Sequence, residues 1–175
     1  MNNLPIPKHL KGILKPFGNS NEYEVTGKIV CDCSSEDFNI KLVGNDLKFE
    51  IEKVIKVDEI DNNFYLIVFV KCNKCSKEHL IFDKDFHGWN GFVCNENSNN
   101  IERPKTKNWN CKNCNNTKHS MTLFIKSEGK DEFVEEAGND FDRNDWTEGF
   151  SWITINLKCN SCNEINNEWI SYETM

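Results

Sequence analysis

The sequence predicts a mainly β protein made of two tandem antiparallel β units with a short N-terminal helix. Two observations carry that prediction. The first is a pair of apolar, strand-like runs, residues 64–71 and 151–158, that each end in Lys-Cys-Asn-x-Cys: Cys72-Asn73-Lys74-Cys75 and Cys159-Asn160-Ser161-Cys162. The second is a cysteine pair upstream of each, Cys31 and Cys33 before the first and Cys111 and Cys114 before the second. Cys72 and Cys159 are 87 residues apart, and Cys31 and Cys111 are 80 apart. The second unit therefore has the longer internal segment. Residues 1–97 read as the first unit and 98–175 as the second, joined in the polar stretch 95–108.

The elements follow in order. Leu10, Ile13, Leu14 and Phe17 lie at i, i+3, i+4 and i+7, the spacing of one apolar helix face, so residues 4–17 read as a short helix. Pro7 suits its first turn, and Pro16 with Gly18 ends it. From Tyr23 the pattern alternates: Tyr23, Val25, Gly27 and Ile29 against Glu24, Thr26 and Lys28, a half-buried strand leading into Cys31. Phe38, Ile40 and Leu42 alternate again, and residues 49–57 offer a further strand. Asp61-Asn62-Asn63 signals a turn before the run that delivers Cys72. That run is apolar on both faces and predicts a central strand. Leu80-Ile81-Phe82 is its return. In the second unit Met121 to Ile125, the run into Cys159, and Glu168-Trp169-Ile170 read as strands.

The cysteine pattern points to metal. A Cys-x-x-Cys turn brings two sulfurs within reach of one ion, and turn N–H groups stabilise the thiolates. Two such knuckles complete a tetrahedral set of four sulfurs. The duplication assigns Cys31, Cys33, Cys72 and Cys75 to one site and Cys111, Cys114, Cys159 and Cys162 to the other. This arrangement of strands and knuckles resembles the zinc-ribbon class, and the resemblance implies two structural Zn2+ ions. The sequence departs from the ribbon pattern in two ways. The knuckles are separated by 38 and 44 residues, against about 15–20 in ribbon-like motifs. The first pair is Cys-x-Cys, one residue short, which makes the Cys31–Cys33 half-site the less regular. Buried metal-free thiols and iron–sulfur ligation are the competing readings. Redox chemistry needs a strand–helix setting that depresses one thiol pKa, whereas these knuckles join strands. Cys94 is left over as a free thiol.

Composition narrows the function. No basic segment followed by an apolar run marks a secretory signal, and no stretch reaches the roughly 18 apolar residues of a membrane span. The expected setting is cytoplasmic, where paired cysteines hold metal more often than they form disulfides. Mean hydropathy is −0.65 and the pI about 5.2. The net charge of −7 is concentrated, since residues 128–148 hold nine acids against Lys130 and Arg143. A chain this acidic is a poor general binder of phosphate backbones.

No catalytic residue emerges. A catalytic zinc keeps an open position, and both predicted sites are closed by thiolates. The four histidines are His9, His79, His87 and His119, of which His79 and His119 follow knuckles and suit second-sphere or surface roles. No phosphate-binding glycine loop, His-Glu-x-x-His or nucleophile elbow is present. The reading is a non-enzymatic, zinc-stabilised protein-interaction module. Asp85, His87 and Trp89 form a compact loop with Gly88 and Gly91, read either as a recognition loop or as a cap on the first core. Trp146 belongs to the acidic segment, read either as a solvated loop or as a docking surface for a basic protein. Two alternatives stand beside it. One is a nucleic-acid-associated ribbon protein using Lys71, Lys74, Lys77 and Lys84. The other is an acidic immunity-type protein that binds a basic toxin.

Overall fold

A computed structural model describes residues 3–44, 66–94 and 106–175. The strands are β1 (Leu14–Pro16), β2 (Glu24–Ile29), β3 (Phe38–Gly44), β4 (Leu66–Cys72), β5 (Glu78–Asp83), β6 (Lys107–Asn108), β7 (Lys118–Lys126), β8 (Trp152–Cys159) and β9 (Ile165–Glu173), with one α-helix, α1 (Lys130–Ala137). Among the described residues all nine strands belong to one sheet, and every pairing is antiparallel. The fold is mainly β, as the alternating apolar patterns predict.

The alternation survives within the strands because a strand turns successive side chains to opposite faces; Tyr23, expected on the inward face, precedes β2 and is 53% exposed. Val25 and Ile29 of β2, Phe38, Ile40 and Leu42 of β3, Met121, Leu123 and Ile125 of β7, and Ile153, Ile155 and Leu157 of β8 all enter one core. None of these eleven is more than 8% exposed. β4 lies between β3 and β5 and is buried on both faces over Leu66–Val68, as its unbroken apolar run requires.

The pairing has a reciprocal character. β3, which follows the first cysteine pair, pairs with β4, which leads into Cys72; β7, which follows Cys114, pairs with β8, which leads into Cys159. Phe38 lies opposite Cys72 and His119 opposite Cys159, and each stands five residues beyond its upstream pair. The strands entering the upstream pairs cross over. β2 pairs with β7, with Lys28 opposite Thr122, and β6 pairs with β3, with Asn108 opposite Lys41. In both cases a residue three before the first cysteine meets a residue eight beyond the other pair. Strands from residues 1–97 and 98–175 thus meet in one ladder.

Two segments differ from expectation. The N-terminal helix is a single 3-10 turn, Lys8–Leu10, and Leu14–Pro16 is strand β1 on the edge beside β2. Leu10, Ile13 and Leu14 are buried as the spacing predicts, but Phe17 is 46% exposed. A segment this short gains little from helix propagation, and pairing with β2 satisfies its backbone instead. The acidic segment, for which a solvated loop is the simpler expectation, contains α1. Its Phe133 is 2% exposed and Trp146 is 5% exposed, so aromatic burial fixes a stretch that charge alone reads as loose. The strand at 49–57, the turn at 61–63 and most of the 95–108 joint lie outside the described residues.

Candidate metal centres

Each knuckle is built by a strand that delivers a cysteine and a turn that reverses the chain. The residue after the second cysteine is left-handed in all four: Ser34 (φ 65°), Ser76 (63°), Asn115 (58°) and Asn163 (61°). Serine and asparagine pay less than bulky residues for this conformation, because their short polar side chains bond locally. Matching backbone bonds close the turns. Ser76 N–H donates to Cys72 O at 2.9 Å, Asn163 to Cys159 O at 3.0 Å and Asn115 to Cys111 O at 2.8 Å. The Cys-x-Cys knuckle closes one residue earlier, with Ser34 N–H on Cys31 O at 2.7 Å. The missing residue therefore shortens the turn and leaves its closure intact.

The sulfurs meet in two groups. Cys31, Cys33, Cys72 and Cys75 form one, and Cys111, Cys114, Cys159 and Cys162 the other; within each group the sulfurs lie within 4.8 Å of one another. The shortest separations are 3.4 Å for Cys31–Cys75 and 3.5 Å for Cys33–Cys72 in the first, with 3.5 Å for Cys114–Cys159 and 3.6 Å for Cys111–Cys162 in the second. A disulfide requires about 2.05 Å, so these are separate thiols. Four sulfurs around one zinc at about 2.3 Å would stand roughly 3.8 Å apart, close to the separations observed. In every knuckle the first cysteine is buried and the second lies nearer solvent. The donor set fits a metal ion that prefers four soft ligands.

The electrostatics suit deprotonation in steps. Burial opposes ionisation of Cys72, but N–H groups of Cys75 and Lys74 and the neighbouring thiols outweigh it and bring its pKa down to about 6. The Glu164 N–H leads in lowering Cys162 to about 7, against some burial. Burial leads in pushing Cys31 up to about 12. Cys114 also rises to about 12: the Asn116 N–H opposes the rise, and burial and the other three thiols outweigh it. Cys72 and Cys162 thus ionise more readily than an ordinary thiol, whereas Cys31 and Cys114 need a nearby cation to offset the charge.

The surroundings of the two groups differ. His79 Nε2 lies 3.3 Å from Cys31 Sγ. Burial, then the Lys77 cation, lower the His79 pKa. Lys77 is ion-paired with Asp32, and Lys74 Nζ donates to Cys33 O at 3.3 Å. His119 is fully buried opposite Cys159, with its Nδ1 3.1 Å from Thr117 O. Asn160 Nδ2 donates to Asp37 Oδ1 at 2.6 Å, tying the last knuckle to the loop after the first.

The structure places the four candidate binding residues elsewhere. His87 stacks on His9 with ring centroids 3.9 Å apart and planes 9° from parallel, and its Nδ1 accepts Asp83 N–H at 3.0 Å. Burial, then His9, push its pKa down to about 3. The Trp89 ring meets Phe133 edge-on at 5.9 Å, and the Trp89 backbone N–H donates to Phe150 O and Thr174 Oγ1. Asp85 pairs with Lys84 at 3.2 Å, and Trp146 is buried. The Asp85–Phe92 stretch, which enters a helical turn at Trp89–Cys94, meets the acidic segment through Trp89, Phe133, Phe141 and Phe92, although Phe92 and Phe133 are 41 positions apart in sequence. Sequence reasoning does not find His9 or Phe133, because neither carries a local signal for its partner.

These features define a class: a mainly β protein with two four-cysteine groups able to hold metal. Comparison with protein-family models, curated proteins and solved structures finds no match to the chain.

Proposed function

We propose that the protein is a non-enzymatic interaction module whose sheet is locked by two structural Zn2+ ions, one held by Cys31, Cys33, Cys72 and Cys75 and one by Cys111, Cys114, Cys159 and Cys162. The observation that carries this reading is the closure of both groups by four sulfurs on equivalent knuckles. Four thiolates leave zinc no open position for substrate, which makes its contribution one of folding free energy. The equivalent registers support two copies of one unit, 1–97 and 98–175.

The partner on this reading is a basic protein. Asp131, Glu132, Glu135 and Glu136 are exposed on α1, next to the half-buried Phe92 and Phe141. That combination supplies steering charge around apolar contact area. An immunity-type role is one form of it. The nucleic-acid alternative is weaker, because two of its four lysines, Lys77 and Lys84, are ion-paired with Asp32 and Asp85. Among the described residues no helix is long and apolar enough to cross a membrane.

Affinity capture from the cells that make the protein tests the proposal, comparing wild type with Glu132→Lys/Glu135→Lys/Glu136→Lys. A basic protein retained at low salt, released by salt and missing from the variant is expected. Retention of nucleic acid instead, or a partner indifferent to the charge reversal, contradicts it.

A further inference from the structure

The two cysteine groups share one plan but differ in a fifth group. His79 stands on β5, four residues beyond Cys75 and opposite Val70 of β4, and its Nε2 lies 3.3 Å from Cys31 Sγ. The corresponding place in the second group is four residues beyond Cys162 and opposite Leu157, and Asn166 occupies it. Asn166 Nδ2 is buried and has no hydrogen-bond partner among the described residues. An imidazole therefore touches the sulfur of one group where an amide that touches none stands beside the other.

We propose that His79 is an auxiliary ligand of the first centre. It donates its Nε2–H to the Cys31 thiolate while four sulfurs hold the metal, and it binds the metal through Nε2 when the Cys31 sulfur is lost. This rests on the reading of the two groups as zinc centres.

The chemistry follows from the donors. Four thiolates on Zn2+ carry a net charge of −2, and an N–H···S bond disperses part of it. Imidazole is an ordinary zinc ligand, and three cysteines with one histidine form a standard tetrahedral set. The neutral ring donates from Nε2 in one tautomer and presents a lone pair there in the other, its proton then residing on Nδ1. The His79 ring is partly exposed, so water carries that exchange with no net gain or loss of protons. Asn166 has no comparable capacity, since an amide oxygen suits harder cations. Asn166 therefore cannot stand in for Cys111 at the second centre as His79 can for Cys31 at the first.

The full-length chain loaded with cobalt(II) tests this, with metal counted by native mass spectrometry and thiolate ligation read from the charge-transfer absorption. Wild type and Cys31→Ala should each hold two ions, the latter with one sulfur fewer in its spectrum. Cys111→Ala and Cys31→Ala/His79→Ala should hold one. A single ion in Cys31→Ala, or two in both Cys31→Ala and the double variant, overturns the proposal. Should Cys31→Ala not fold, His79→Asn keeps all eight ligands and decides the matter. A chelator should remove one of its two ions several-fold faster than from wild type, and unchanged kinetics overturn the assignment. Wild type that binds no metal would refute the zinc reading itself, a distinct result.

Discussion

Phe38 of β3 and His119 of β7 lie opposite each other across an antiparallel pair, and both are fully buried. Each is also the cross-strand partner of a cysteine, Cys72 and Cys159 respectively. The junction between the halves thus runs through the residues that position the two sulfur groups, so loss of one centre should be felt beyond its own knuckles.

Cys162→Ser removes one ligand of the second group. Bound zinc should fall from two to one, with a loss of stability on the order of several kcal/mol, because metal binding and folding are linked. Metal analysis and thermal unfolding check this. Retained zinc with unchanged cooperative unfolding contradicts the ligand assignment.

Ile155→Ala removes a fully buried side chain from the middle of β8. Urea unfolding should show a loss of about 2–5 kcal/mol, the range for an uncompensated cavity in a packed core. A change below about 1 kcal/mol would place Ile155 outside any tightly packed core.

Gly88→Ala tests the loop around Trp89. Gly88 has φ +74°, and a Cβ there would run into the Thr174 side chain. Thr174 also receives Trp89 N–H and donates to Phe150 O. Left-handed strain and the collision together should cost about 1–3 kcal/mol in chemical denaturation. An unperturbed variant would show that this loop is not held against the C-terminal strand.

The stacked pair His9 and His87 gives stability a pH dependence. Burial lowers both pKa values, His87 to about 3, while an unfolded histidine titrates near 6.5, at about the ordinary value. Between about 6.5 and 3 the unfolded chain binds more protons, so stability falls as pH drops through that window. At higher pH the contribution is fully present. His87→Asn should flatten the decline between pH 7 and pH 5 in urea titrations, over and above the thiolate contribution common to both proteins. An identical slope contradicts burial of the neutral ring.

Legibility in the sequence followed the range of each signal. The sheet strands were readable because alternation is local: Val25, Ile29, Leu123 and Ile125 announce their faces within a few residues. The division of eight cysteines into two groups of four was readable from duplicated spacing. The pairing of β2 with β7 and of β6 with β3 was not, since nothing near Lys28 or Asn108 specifies a distant edge. The helix α1 was hidden because acidic residues dominate its composition and only Phe133 faces the interior. The N-terminal helix is shorter than its apolar spacing predicts for the opposite reason. Leu10, Ile13 and Leu14 are core residues whose spacing fits a helix, yet a 3-10 turn followed by a strand buries them equally well. His79 was recognisable as a neighbour of a knuckle, but its approach to Cys31 depends on β5 returning beside β4.

The central claim is metal stoichiometry, and native mass spectrometry of the protein purified without chelator measures it directly. Two zinc ions per chain are predicted, with all eight knuckle cysteines protected from alkylation and only Cys94 reactive. A chain with no bound metal and freely alkylated or disulfide-linked cysteines would contradict the account.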